Sequence, residues 1–295
     1  MRVFVTGATG FIGTLVVREL IDAGHQVLGL ARSDTGAQAL VAAGAQAHRG
    51  DIEDLESLRS AAASADGVVH LAYIHDVSRV KQTSEIDGRA IEALGAALTG
   101  SDRPLVVTSV VGIASTTPGR LATEDGAVLS SAVFPRAIQE EVMTSLVERG
   151  VNASAVRLPQ VHDTTRSGLV DYAINIAREK GVSAYVGDGH NRWPAVPVSD
   201  AAHLYRLVLE AGAAGAKYNA VAEEGVPYRE IAEAIGQGLK LPVISVPSEK
   251  TAEHFGSLAW AVGWDFPASS KLTRERLGWN PTGPSLLEDL AQRFH

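Results

Sequence analysis

Thr6-Gly7-Ala8-Thr9-Gly10-Phe11-Ile12-Gly13 is the stretch on which the reading of this chain turns. It follows a short apolar run, Val3–Thr6, and opens a helical pattern, Phe11–Ala23. A phosphate needs backbone amides at close range. Residues without a β-carbon let the chain turn tightly and come that close. The start of the following helix adds free N–H groups and a positive dipole end, which suit a diphosphate. Glycines at 7, 10 and 13 depart from the G-x-G-x-x-G fingerprint, but the strand–loop–helix setting supplies the same mechanics. Gly7, Thr9, Gly10, Phe11, Ile12 and Gly13 are therefore the first candidates for holding a dinucleotide.

Outward from this loop, short apolar runs alternate with helical patterns. Strands are expected at Val3–Thr6, Val27–Leu30, Ala45–His48, Val68–Leu71, Leu105–Thr108 and Ser154–Leu158. Helices are expected at Phe11–Ala23, Gly36–Ala43, Leu55–Ala63, Thr83–Leu98 and Arg136–Arg149. This is the signature of βαβ units, so the fold class is α/β with a doubly wound, parallel, Rossmann-like sheet. Beyond residue 158 the pattern changes. Short strands (Ser183–Val186, Lys217–Val221, Val243–Val246) mix with helices (Ser199–Ala211, Tyr228–Leu239, Glu249–Ala261) and frequent Gly and Pro. Residues 1–158 read as a dinucleotide-binding domain. Residues 159–295 read as a smaller C-terminal α/β substrate lobe, ending on a helix at Ser285–Arg293 and interleaved with the first part in one compact unit.

The 295 residues are 45% hydrophobic and 20% charged, enough for a sizeable core. Lys plus Arg is 26 and Asp plus Glu is 34, a net charge of −8, which argues against bulk binding to nucleic acid or an anionic membrane. With no cysteine, disulfides, thiol nucleophiles and iron–sulfur clusters are excluded. No apolar run approaches the roughly 18 residues of a membrane span, and no signal peptide is expected, so a cytoplasmic location is. His48, His70, His75, His162, His190 and His203 show no metal-ligand spacing, and G-x-S-x-G is absent.

The end of the second strand decides which dinucleotide. An acidic residue there accepts the ribose hydroxyls of NAD; here Ala31 takes its place, followed by Arg32 and Ser33. Arg32 can clamp a 2′-phosphate and Ser33 can donate to it, which favours NADP(H) over NAD(H). Asp34 is the competing partner for Arg32. After the third strand, Asp51 either accepts from the adenine amino group or caps the next helix, and Ile52 can pack on the ring. Leu71 and Ala72 end the fourth strand beside the expected crevice.

Together these segments resemble the extended and atypical short-chain dehydrogenase/reductase superfamily, in its NAD(P)-dependent epimerase/dehydratase-like branch. The likeness adds Ala122-Thr123-Glu124-Asp125, Arg157-Leu158-Pro159-Gln160-Val161-His162-Asp163, Val196-Pro197-Val198-Ser199-Asp200 and Leu277-Gly278-Trp279-Asn280-Pro281, over nearly the whole chain. The resemblance implies a seven-stranded parallel sheet and hydride chemistry at a nicotinamide. It implies cofactor contacts from Thr108, Pro159 and Val161, and a homodimer built on the helices Thr83–Leu98 and Arg136–Arg149.

It also implies a Tyr-x-x-x-Lys pair on the helix after the fifth strand, and none exists. In the aligned stretch Arg136 stands in place of Tyr and Glu140 in place of Lys. Glu140 could accept from ribose hydroxyls but would raise, not lower, a neighbouring phenol's pKa. Val110 stands where many members keep a catalytic hydroxyl. Ser109 is the nearest candidate to polarise a carbonyl, or is simply a hydroxyl satisfied at a strand end. Tyr73 and His75 are candidate proton donors, and His162 and Trp193 candidate walls of the substrate pocket. The expectation is an NADPH-dependent reductase acting on a small carbonyl, activated alkene, quinone or flavin-like acceptor. The alternatives are a non-catalytic NADP(H) sensor and a sugar-nucleotide epimerase or dehydratase. The last needs a strong base for alcohol oxidation, which the lost Tyr and Lys argue against.

Overall fold

In the first strand, β1 (Arg2–Thr6), Val3 and Val5 point to one side and Phe4 to the other, and all three are fully buried. A strand apolar on both faces must be covered on both, and the computed structural model, which describes residues 1–117 and 119–294, shows both covers. His295, the last residue of the expected lobe, lies outside them.

The further strands are β2 (Gln26–Ala31), β3 (Gln46–Arg49), β4 (Gly67–His70), β5 (Leu105–Val110), β6 (Ala153–Leu158), β7 (Gln160–His162), β8 (Ser183–Val186), β9 (Arg192–Pro197), β10 (Lys217–Asn219), β11 (Glu223–Pro227) and β12 (Val243–Val246). Seven form one parallel sheet in the order β10-β6-β5-β4-β1-β2-β3. The chain winds outward from β1 to one edge, then returns to start again at β4. The crevice of a doubly wound sheet therefore opens at the carboxyl ends of β1 and β4. The Lys217–Asn219 strand, expected among the short strands of the second lobe, instead pairs with β6 and supplies the seventh strand. The lobe is thus threaded through the large sheet rather than appended to it.

The helices are α1 (Phe11–Asp22), α2 (Asp34–Ala42), α3 (Leu55–Ala63), α4 (Val80–Ala96), α5 (Ile138–Glu148), α6 (Val170–Lys180), α7 (Val198–Ala211), α8 (Tyr228–Leu239), α9 (Thr251–Phe255), α10 (Ala259–Val262), α11 (Lys271–Leu277) and α12 (Leu286–Arg293). On one face Val16, Val17 and Leu20 of α1 and Leu204, Tyr205 and Val208 of α7 meet Val3, Val5, Val69 and Val106. On the other, Leu58 of α3, Ile91 and Leu94 of α4 and Met143 and Leu146 of α5 meet Phe4, Val68, Leu105 and Val107. The smaller lobe has its own core around Trp193, Tyr228, Ile231, Phe255, Phe266 and Leu290.

Two departures from the sequence reading have local causes. The helix expected over Glu249–Ala261 is broken at Gly256 (φ +52°), which ends α9 before α10 begins. The stretch after β7, to which the sequence reading assigns no element, contains α6, which Gly181 terminates in the left-handed region (φ +69°).

One polar contact lies wholly inside the molecule. Arg157 of β6, fully buried, donates from Nε and Nη2 to the two carboxylate oxygens of Glu140 on α5, at 2.7 and 2.8 Å. Its Nη1 donates to the carbonyl of Glu124 at 3.1 Å. Removing one member leaves an uncompensated charge in the core, so Arg157→Ala should cost about 3–5 kcal/mol in urea denaturation. The paired change Arg157→Met with Glu140→Leu should cost less than either single change.

Candidate active site

The loop after β1 is shaped by backbone packed on backbone. Gly7 sits at φ +66°, and a β-carbon there would lie 2.7 Å from the Ala72 nitrogen. A β-carbon on Gly13 would lie 2.0 Å from the Gly7 carbonyl oxygen. The Gly10 amide donates to the Gly7 carbonyl at 2.9 Å, closing the turn. Gly10 then caps α1 with no side-chain acceptor, and the first turn of α1 carries no acid. The open N–H groups and the cradle that a side chain would fill fit a dinucleotide diphosphate. The Arg166 guanidinium lies 5.6 Å from the Phe11 ring centroid, so a cation that sequence reasoning missed stands beside this helix start. Its only signal was a lone Arg in the loop after β7.

Thr6 ties the loop to its neighbours. Its Oγ1 accepts from the Leu71 and Ala72 amides, each at 3.2 Å, and contacts His70 Nδ1 at 2.8 Å. With the hydroxyl donating to Nδ1, the Nε2 hydrogen goes to Asp87 Oδ1 at 2.9 Å. The other Asp87 oxygen accepts from Gln139. This buried chain joins β1, β4, α4 and α5 beneath the crevice and holds Leu71 and Ala72, both half-buried, against the loop.

At the end of β2, Arg32 and Ser33 are both exposed. Ser33 caps α2, accepting from the Gly36 amide at 3.1 Å. Asp34, the expected competitor for Arg32, pairs instead with Arg49 at 3.2 Å, while Arg49 also donates to the Ala31 carbonyl. Among the described residues Arg32 makes no ion pair. Asp51 does not cap α3; that residue is Asp54, which accepts from Ser57. Asp51 accepts from the Glu53 amide in a tight turn, and Ile52 is buried in the core.

Several expected roles are corrected by where the side chains go. Glu140 is spent inside the molecule on Arg157 and does not face a ribose. Ser109 is fully buried beside Arg157, its strand neighbour, and its Oγ has no partner among the described residues; the partly exposed position at this end of β5 is Val110. Thr108 donates to the His70 carbonyl and shares a 2.7 Å contact with Tyr205, whose phenol burial pushes well up. His162 is fully buried, bonded through Nδ1 to Asp289 at 2.7 Å, so it pins α12 rather than lining a pocket. Its sequence neighbour Asp163 instead accepts from Thr165 and Arg166 in a turn. Trp193 is fully buried too, edge-on to Tyr228 at 4.7 Å between centroids. Val161 is core, and Pro159 is half-buried.

Tyr73 and His75 do meet, ring centroids 5.1 Å apart, and the residue that joins them was not a candidate: the Arg136 guanidinium lies 4.0 Å over the Tyr73 ring. Tyr73 Oη contacts Thr83 and Ser84 of α4, each at 3.2 Å. Arg136 forms no ion pair among the described residues, and its Nε is buried without a partner there. His75 is exposed, yet protein crowds the ring closely. Lost hydration first, and the Arg136 charge second, hold its pKa below the ordinary imidazole value. No group of three or more His, Asp or Glu among the described residues is placed to hold a metal ion. No helix there is long and apolar enough to cross a membrane.

With this geometry in place, comparison with known proteins is informative. Residues 3–221 match the model of the "NAD dependent epimerase/dehydratase family". The chain is 48% identical to "Uncharacterized protein C2A9.02" of Schizosaccharomyces pombe, covering 99% of this chain and 98% of that one. It is 29% identical to a 2'-dehydrokanamycin reductase of Streptomyces kanamyceticus, over 90% of this chain and 76% of the relative. The crystal structure of a dTDP-glucose 4,6-dehydratase from Streptomyces venezuelae with NAD bound superposes with a TM-score of 0.80 at 20% identity, covering 100% of this chain and 96% of that one.

The Arg136–His75 relation is open to titration. The His75 resonance should titrate below 6.5 by NMR, and Arg136→Gln should move the midpoint upward, because the lost positive charge no longer disfavours the imidazolium. An unchanged midpoint in Arg136→Gln would remove Arg136 from this site.

Proposed function

The chain belongs to the NAD dependent epimerase/dehydratase family, and from that premise we propose that it is an NADPH-dependent reductase of a carbonyl-type acceptor. NADPH would rest on Gly7, Gly10 and Gly13, with Arg32 and Ser33 taking the 2′-phosphate and Leu71 and Ala72 along the crevice. Bound, it supplies the hydride. The named reductase among the relatives supports the reaction class.

The observation that carries the reading is Arg136, stacked on Tyr73 in the loop after β4 without a carboxylate partner among the described residues. Reduction of a carbonyl builds negative charge on oxygen, and a fixed guanidinium stabilises that charge without proton bookkeeping. The reverse chemistry, withdrawing a proton from an alcohol, needs a base. Arg136 is never one, and Glu140 is consumed by Arg157. An epimerase or dehydratase cycle begins with that withdrawal and is correspondingly disfavoured. Tyr73 and His75 frame the guanidinium; with its pKa held down, His75 is a poor acid near neutrality, and the proton reaches the product oxygen from solvent or through Tyr73.

A second reading, a dinucleotide sensor without turnover, is favoured by the burial of Ser109 and His162 and by the two hydroxyl contacts of the Tyr73 phenol. Loss of NADPH absorbance over a panel of carbonyl and quinone acceptors decides between them. In the reductase, Arg136→Ala should lower kcat/KM by about a hundredfold or more while NADPH affinity holds. Arg32→Ala should weaken NADPH by about tenfold or more and leave NADH nearly unchanged, the worth of one or two charge-assisted hydrogen bonds. Tight NADPH binding with no turnover on any acceptor would favour the sensor.

A further inference from the structure

Between the smaller lobe and the turn that carries Arg136 lies an open cleft of about 630 Å³. That volume suits a small organic ligand. Three aromatic rings frame it: Phe134, Trp260 and Trp264, with centroid separations of 5.8 Å (Phe134 to Trp264), 6.2 Å (Trp260 to Trp264) and 6.4 Å (Phe134 to Trp260). Val186 and the hydroxyl-bearing Ser248 and Thr251 complete the wall, and its described lining carries no charged side chain. Trp260 is 53% exposed, so its ring offers open apolar surface at the edge of the aromatic cluster.

Two of the cleft's rings belong to, or pack on, the segments that carry the proposed reaction site. Phe134 precedes Arg136 by two residues, in the same short turn before α5. The Trp264 ring packs on the backbone of Gly112, where a β-carbon would lie 2.9 Å from it, two residues beyond the partly exposed Val110 at the end of β5. Aromatic rings thus reach from the lobe to the segment that follows the carboxyl end of β5, and Arg136 lies two residues along the chain from one of them.

Resting on the reductase reading, we propose that this cleft is the substrate site and that the substrate is a planar aromatic carbonyl compound. Its ring system stacks among Phe134, Trp260 and Trp264, and its reducible oxygen is directed toward Arg136. Flat rings gain from offset or edge-on contact with other rings beyond their buried area, which a puckered aliphatic ring does not. A sugar nucleotide fits badly: two hydroxyls and no cation line the cleft, so its diphosphate would be desolvated without compensation.

The test is calorimetric titration of the protein saturated with NADP⁺, using 2-acetylnaphthalene and its fully hydrogenated counterpart, decahydronaphthyl methyl ketone. The aromatic ketone should bind at least tenfold tighter. Trp260→Ala, at an exposed position that folding tolerates, should remove about that tenfold while NADP⁺ affinity stays within twofold. Equal affinity for the two ketones, or an aromatic preference that survives Trp260→Ala, overturns the proposal. So does a fall in the solution molar mass on Trp260→Ala, which would identify a second copy of the chain as the occupant. Aromatic binding without NADPH oxidation would defeat the reductase reading and leave the cleft assigned. NADPH oxidation that is indifferent to ring planarity would do the reverse.

Discussion

The whole crevice depends on a contact between two stretches of bare backbone. The Gly7 carbonyl lies against Gly13, and Gly7 itself lies against the Leu71–Ala72 peptide, at distances no side chain can share. The same steric requirement serves two ends. It closes α1 onto β1 and β4 at the switch point of the sheet, and it clears the space in which backbone amides can face an anion. The Thr6–His70–Asp87–Gln139 chain then extends the joint to α4 and α5, so the floor of the site is one hydrogen-bonded unit spanning four elements.

Opposite charges are dealt with differently at the start of α5 and in the turn before it. Glu140 faces inward and is neutralised by Arg157; Arg136, four residues earlier, stacks on Tyr73 and is not neutralised by any described carboxylate. A carboxylate left free at this place would oppose both a reduced dinucleotide's phosphates and an oxygen gaining electron density. Sequestering it in the core removes that opposition, and the guanidinium stacked on Tyr73 reverses its sign. Under the proposed reading, an uncompensated guanidinium rather than a carboxylate is thereby presented to an oxygen gaining electron density.

The fold was largely legible in the chain because its signals are local. Gly7, Gly10 and Gly13 sit in one loop, and the apolar runs of β4 and β5 announce strands covered on both faces. The seventh strand was misplaced because three residues, Lys217–Asn219, carry no periodicity that distinguishes a lobe strand from a sheet edge. Residues proposed for the cofactor had local signals, in one loop and at strand ends; those proposed for catalysis did not. Residues chosen for their chemistry alone, Ser109, His162 and Trp193, proved to be interior, since neither their facing nor the partner that buries them is written nearby: Asp289 stands 127 residues from His162. Arg136 was noticed as a substitution in the family pattern, but its stacking on Tyr73 depends on the approach of two loops 63 residues apart and had no sequence signature.

The His162–Asp289 contact also ties β7 to a helix 127 residues further along the chain. The imidazole belongs to β7, next to the sheet, and its carboxylate arrives only with α12, whose amide at Leu286 also binds Glu223 of the lobe. Without α12 the lobe would carry a buried imidazole stripped of its carboxylate. The smaller lobe is therefore closed from both of its ends at once, and loosening α12 would open its interior at β7 as well.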